Sequence, residues 1–341
     1  MPLADGRPGA PDIVVFDVYG LTIAVSGDWP EVVRDLRGDF LWFVARRPEA
    51  ADLVVTIERR APDFGAAGDL VASFVTPRNV VYHQPGRTVI DYFGQALSLY
   101  DRALGQLTVQ GTDHDLVHEA AYHFILSRVG AHLEAIGRPR LHGLGLAGRG
   151  GAVAVLLPPG GGKSTLAVSA LRAGTVKLLS EDSPLIDRRG MMHPFPLRLG
   201  VNPSDAHRLP AGRVRTLARM ESTPKTVLEL DGLADRIESD AQPLRHLVIG
   251  RRTLGTGAAL EPIGRRRLVA PLLRECVVGV GLYQGLEFIL QHGLRDLAGT
   301  AGSARVRAQC SAVALAKAQT WELRLGRDHD ANWAALGPLV Q

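Results

Sequence analysis

Five apolar residues in a row, Val153-Ala154-Val155-Leu156-Leu157, run into Pro158-Pro159-Gly160-Gly161-Gly162-Lys163-Ser164-Thr165. Apolar positions then switch to helical spacing at Leu166, Ala167, Ala170 and Leu171 until Gly174. An unbroken apolar run this short reads as a buried strand, and the change of period after the glycines reads as a loop opening a helix. Val176-Lys177-Leu178-Leu179 forms the next strand and delivers Ser180-Glu181-Asp182 at its carboxyl end. The pattern therefore predicts strand, glycine loop, helix and strand, with two acids meeting the loop at one sheet edge.

Upstream, the pattern is strand-rich. Ile13 to Val18, Leu21 to Val25 and Leu53 to Ile57 read as strands, and Trp29 to Leu36 as a short helix. Asn79 to Gln84 and Thr88 to Phe93 flank Pro85-Gly86-Arg87 as a hairpin, and Leu107 to Val109 adds a further strand. Thr112 opens a long helix through a Thr-x-x-Asp cap, with Leu116, Val117, Ala120, Ala121, Phe124, Ile125, Val129 and Leu133 on its apolar face, and Gly137 and Pro139 stop it. This predicts an α+β module over residues 1–111, a linking helix over 112–137 and an α/β domain over 138–341. In the last of these, Thr226 to Leu230 and Leu247 to Ile249 read as strands and Gly255 to Arg267 as a loop. Leu268 to Leu290 and Arg305 to Ala318 read as helices, Trp321 to Leu325 as a strand and Asn332 to Leu336 as a helical turn. The first module offers no catalytic constellation, which leaves substrate recognition or homo-oligomer contacts as its roles.

A chain of 341 residues with 46% hydrophobic and 22% charged residues has the composition of a globular protein. Its net charge of +4 comes without a lysine-rich run or interleaved aromatics, so nothing suggests nucleic acid as a partner. Two isolated cysteines, Cys276 and Cys310, exclude a disulfide framework. The N-terminus, Met1 to Pro11, has no signal pattern, and no run approaches membrane-helix length, so the expectation is a cytoplasmic protein with no membrane partner. His114 and His118 lie one helical turn apart, but His123 falls at the wrong interval for a zinc helix, and core or solvated histidines are the better reading.

The chemistry lies in the loop. Glycines at 160, 161 and 162 let backbone N–H groups converge on a phosphate, and the helix behind them adds the positive end of its dipole. The 39 basic residues include lysines only at Lys163, Lys177, Lys225 and Lys317, so a lysine in this loop is not filler. In that reading Gly160, Gly161, Gly162, Lys163, Ser164 and Thr165 bind a nucleotide, and Ser164 ligates magnesium. The match to G-x-x-x-x-G-K-[ST] is incomplete, since Leu157 occupies the place of the first glycine.

With Leu141-His142-Gly143, the glycine loop and Leu178-Leu179-Ser180-Glu181-Asp182 taken together, the chain resembles the HPr kinase/phosphorylase family. Within that group it looks most like the kinases associated with lasso and other ribosomal peptides. The resemblance covers roughly Leu141 to Gly200 and implies a P-loop fold shared with phosphoenolpyruvate carboxykinases, ATP and Mg²⁺ as cofactors, and phosphoryl transfer to a hydroxyl. His142, Lys163, Ser164, Glu181 and Asp182 fall on the family's site positions in order. Glu181 stands where the family has an aspartate, and the downstream signature of the HPr-directed enzymes is missing, which points to another acceptor. The acceptor implied is Ser or Thr of a peptide, with a small-molecule alcohol as the alternative and a regulatory ATPase as the rival class. On this reading Ser164 and Asp182 organise Mg²⁺ and Glu181 is the base, an assignment in which the two acids are open to exchange. His142 completes the catalytic set, and Arg198 and Lys225 are candidate anchors for an acidic group.

Overall fold

A computed structural model describes residues 13–46, 50–219, 222–278 and 296–341. It shows a mixed α/β protein with several sheets, dividing into two compact units. The main division falls between Leu126 and Ser127, inside a single long helix rather than at either of its ends, and the adjoining ends of the strands Val214–Arg219 and Ser222–Leu228 cluster with the first unit.

The first unit is built on an eight-stranded sheet. Its strands are β1 (Val14–Val18), β2 (Leu21–Gly27), β3 (Leu53–Arg59), β4 (Phe74–Val75), β5 (Val80–Gln84), β6 (Arg87–Asp91), β7 (Ala96–Asp101) and β8 (Gln106–Gly111). They lie in the order β1-β2-β3-β8-β7-β6-β5-β4, parallel at β2/β3 and β3/β8 and antiparallel elsewhere. Helix α1 (Pro30–Asp39) makes the crossover between β2 and β3 and buries Val32, Val33 and Leu36, and α2 (Phe64–Ala67) is a single turn. The expected hairpin forms with Gln84 paired to Arg87, and Gly86 at φ +79° takes the left-handed position of its turn. The pattern missed β7, which lacks a clean alternation and starts one residue after two left-handed residues, Phe93 and Gly94.

The long helix α3 (His114–Ala135) is capped one residue later than predicted. Asp113, not Thr112, accepts the hydrogen bond that caps it, from the Leu116 amide at 2.9 Å. Three of its histidines, His114, His118 and His123, lie beside carboxylates. His118 lies 2.8 Å from buried Asp39, His114 lies between Asp35 and Asp115, and His123 lies 3.8 Å from Glu119.

The second unit carries the glycine loop. Its sheet runs β11 (Lys177–Ser180), β9 (Leu144–Gly148), β10 (Gly151–Leu156), β17 (Gln242–Arg252), β13 (Met191–His193) and β12 (Leu185–Ile186). Strand β19 (Gln319–Leu325) pairs with the later part of β17 and with β18 (Ala259–Pro262). Strands β10, β17 and β19 are parallel, and β10 is wholly buried, as its unbroken apolar run requires. Three further strands, β14 (Leu199–Val201), β15 (Val214–Arg219) and β16 (Ser222–Leu228), form a separate sheet. Helix α4 (Lys163–Ala173) follows the glycine loop and ends at Gly174 as expected, with φ +70°. Helices α5 (Arg266–Leu272), α6 (Asp296–Lys317) and α7 (His329–Leu336) complete the described elements, with a π-helical turn at Leu273–Val278. The predicted loop over 255–267 contains β18, and residues 279–290 of the predicted helix lie outside the described residues. Among the described residues no helix is long and apolar enough to cross a membrane.

The cap gives the first prediction. Asp113→Ala should cost about 1 kcal/mol of stability, in the range for a lost helix N-cap, while Thr112→Ala should be nearly neutral. Urea unfolding midpoints of the two variants check this.

Candidate active site

Four segments converge at one edge of the second sheet. Strand β10 runs out into the glycine loop at this edge, parallel β17 ends beside it at Arg252, and β11 ends here at Ser180. Antiparallel β9 begins here, so His142 and Gly143, just before it, come to the same place. Backbone hydrogen bonds fix them: the Gly143 amide donates to the Asp182 carbonyl at 2.9 Å and the His142 amide to the Glu275 carbonyl at 3.0 Å. Residue 143 is glycine because a Cβ there would stand 2.9 Å from the Val155 carbonyl oxygen.

Lys163 is the centre of the cluster. Although only 7% exposed, its ammonium lies 2.8 Å from His142 Nε2, 3.0 Å from the Leu157 carbonyl oxygen and 3.3 Å from Asp182 Oδ1. His142 Nε2 is also 3.2 Å from Asp182 Oδ1, and on its far side Nδ1 lies 2.6 Å from Glu275 Oε2. A carboxylate only accepts, so Glu275 fixes a proton on Nδ1. Lys163 and a second proton then compete for Nε2, which either accepts from the ammonium or donates to Asp182.

The two acids occupy different environments. The Ser180 hydroxyl accepts from the Ser183 amide at 3.0 Å and closes the turn that carries them. Glu181 accepts a hydrogen bond from Ser164, and Asp182 faces Lys163 and His142. Burial and the neighbouring Asp182 charge raise the Glu181 pKa, against the charges of Lys225 and Lys163 and the Ser164 hydrogen bond. Burial would raise Asp182 as well, but the His142 hydrogen bond and the Lys163 charge outweigh it and hold Asp182 well below the carboxylate range. For His142, burial disfavours the charge, and hydrogen bonds to Asp182 and Glu275 overcome it, lifting the pKa to about 9.

All the predicted loop residues lie at this edge. Gly160 and Gly162 have φ of +71° and +106°, conformations that suit glycine, and space around the Gly160 Cα is open. The expected pairing of Ser164 with Asp182 is not what the structure brings together, because Ser164 meets Glu181. Lys225 is near enough for its charge to act on Glu181. Thr165 lines a shallow pocket with Gly162, Arg252, His329 and Asn332.

Two residues were missed. Glu275, 1% exposed, sits in the π-helical turn with no motif to announce it. Gly250, on β17, accounts for Leu157: a Cβ at 250 would lie 2.2 Å from Leu157 Cδ2. The loop thus begins with leucine because the neighbouring strand carries a glycine, visible in the sequence only as the break after Val248-Ile249.

Among the described residues no three His, Cys, Asp or Glu side chains group to hold a metal ion. Magnesium bound with phosphates needs only one or two protein oxygens beside water, and Ser164 and Glu181 are the neighbouring oxygens that could serve. No family model matches the chain, and no curated protein matches it.

The linkage sign for His142 follows from a folded pKa of about 9 against an ordinary 6.5. The folded chain holds the extra proton, so this stabilisation is full below about pH 6.5 and is lost as pH rises through 9. Wild type should therefore lose more stability between pH 7 and 9.5 than His142→Gln, as read from urea midpoints. A histidine NMR titration should place His142 near 9 and show it falling in Glu275→Gln.

Proposed function

We propose that the chain is an ATP-dependent phosphotransferase of serine-kinase type, with a phosphate-loop domain like that of HPr kinases and phosphoenolpyruvate carboxykinases. The γ-phosphate goes to a hydroxyl of Ser or Thr in a peptide, with a small-molecule alcohol as the second acceptor class. The observation that carries this reading is the convergence of the loop lysine, Lys163, with His142 and Asp182 from separate segments.

In this mechanism the backbone amides of Gly160 to Thr165 and the Lys163 ammonium hold the β- and γ-phosphates. Ser164 and Glu181 would hold Mg²⁺, and the ion would supply neutralisation of the phosphate charge. That reverses the roles first given to the acids, because Glu181 and not Asp182 shares the serine hydroxyl. The acceptor oxygen attacks the γ-phosphorus, the bond to the β-phosphate oxygen breaks and ADP leaves. Asp182 takes the acceptor proton. Once Lys163 turns to phosphate, His142 in its doubly protonated form, which its pKa of about 9 provides at neutral pH, donates from Nε2 to Asp182 and orients the carboxylate, with Glu275 holding the imidazole through Nδ1.

ATP with Mg²⁺ should raise the melting temperature of wild type, and Lys163→Ala should remove most of that shift. Asp182→Asn should lower transfer from γ-labelled ATP by at least ~10²-fold while nucleotide still binds, and Glu181→Gln should instead raise the magnesium concentration required. Full loss of transfer in Glu181→Gln at saturating magnesium, with Asp182→Asn active, would return the acids to the opposite roles. A wild type that neither shifts with ATP nor labels any acceptor would remove the kinase reading.

A further inference from the structure

Beside the glycine loop a cleft of about 550 Å³ is lined by Leu156 to Gly161, Ile249 to Arg252, Pro271 and Arg274. Its charged lining among the described residues is three arginines, Arg251, Arg252 and Arg274, with no acid among them. The floor is apolar, from Leu156, Leu157, Ile249 and Pro271. Like charges around one concavity repel, and the field they focus there favours an anion.

The cleft adjoins the reacting end of the loop rather than the Thr165 end. Leu157, which lines it, is the residue whose carbonyl holds the Lys163 ammonium. Arg274, at its lip, contacts Glu275 at 2.6 Å, and Glu275 holds His142. Thr165 lines the other pocket instead, and Arg252 lines both. A phosphoryl acceptor therefore has this cleft to approach from.

The arginines keep donors for it. Arg251 and Arg274 meet Glu322 and Glu275 through Nε, at 3.3 and 2.6 Å, and both side chains remain more than half exposed, at 59% and 54%. Arg252 makes no ion pair among the described residues, and its Nη1 lies 3.8 Å from where a Cβ on Gly162 would stand. Guanidinium forks of this kind recognise carboxylates in pairs of hydrogen bonds.

We propose that this cleft is the acceptor site and that it selects an acidic peptide, one with Asp or Glu side chains flanking the Ser or Thr to be phosphorylated. This rests on the kinase reading for what happens to the hydroxyl, but not for the binding itself. The apolar floor carries the peptide backbone and aliphatic carbons, and Arg251 and Arg274 take the flanking carboxylates.

The test separates binding from transfer. Fluorescein-labelled peptides of one length, Glu-Glu-Ser-Glu-Glu, Gln-Gln-Ser-Gln-Gln and Lys-Lys-Ser-Lys-Lys, are titrated with full-length protein by anisotropy, with and without Mg²⁺-ATP. A second arm uses small hydroxy acids as competitors. The acidic peptide should bind at least ten-fold more tightly than the neutral one and weaken with salt. Arg251→Gln with Arg274→Gln should remove that preference while ATP affinity changes less than two-fold, and Arg251→Glu should turn the preference toward the lysine peptide. Equal binding of all three peptides overturns the proposal, as does a variant that loses ATP affinity and keeps the acidic preference. Displacement by small hydroxy acids at equal concentration overturns the peptide assignment in favour of a small anionic acceptor. Acidic selectivity lost in the variants, without phosphorylated serine by mass spectrometry, supports the site and sinks the kinase reading alone.

Discussion

An ammonium with 7% exposure has to be compensated, and the second sheet is arranged around that requirement. Lys163 finds a carbonyl, an imidazole nitrogen and a carboxylate, each from a different segment. Bringing them together needs β10 and β11 with their carboxyl ends at one edge, and β9 antiparallel to both so that His142, just before it, comes to the same edge. None of the three contacts is available within the loop's own helix. The charge is therefore satisfied only in the folded sheet, and local chemistry and global topology depend on each other.

The same arrangement carries a proton inventory. Glu275 keeps Nδ1 protonated, and Nε2 is shared between lysine and aspartate. A change at one member alters the others, so the cluster acts as a unit in which single substitutions do not add. Glu181 stands apart from this set and belongs with Ser164, which is why two adjacent carboxylates acquire opposite pKa shifts.

The sequence showed what is local. Strand, loop, helix and the acid pair are contiguous and carry their periods openly, and the Gly174 stop and the Pro85-Gly86 hairpin follow from backbone freedom at single residues. What it hid is what depends on distant approach. Strand β9 went unmarked, since Gly145 and Gly148 interrupt its pattern, yet both are glycine to admit neighbours: Pro184 and Met192 against one, the Val340 carbonyl against the other. Glu275 lies 133 residues beyond His142, in a turn whose residues share no motif with the loop. Which acid meets Ser164 was equally hidden, since both follow the same strand and only the fold of their turn tells them apart.

Leu157 and Gly250 show how a loop motif can be redistributed. The volume that the first glycine would leave open is filled by an isobutyl group, and the adjacent strand gives up its own side chain to admit it. The constraint has moved sideways, from a position along one segment to a position across two. In chains built this way the signature of the loop is a pair of residues that trade size across a sheet, and either member on its own looks like an exception.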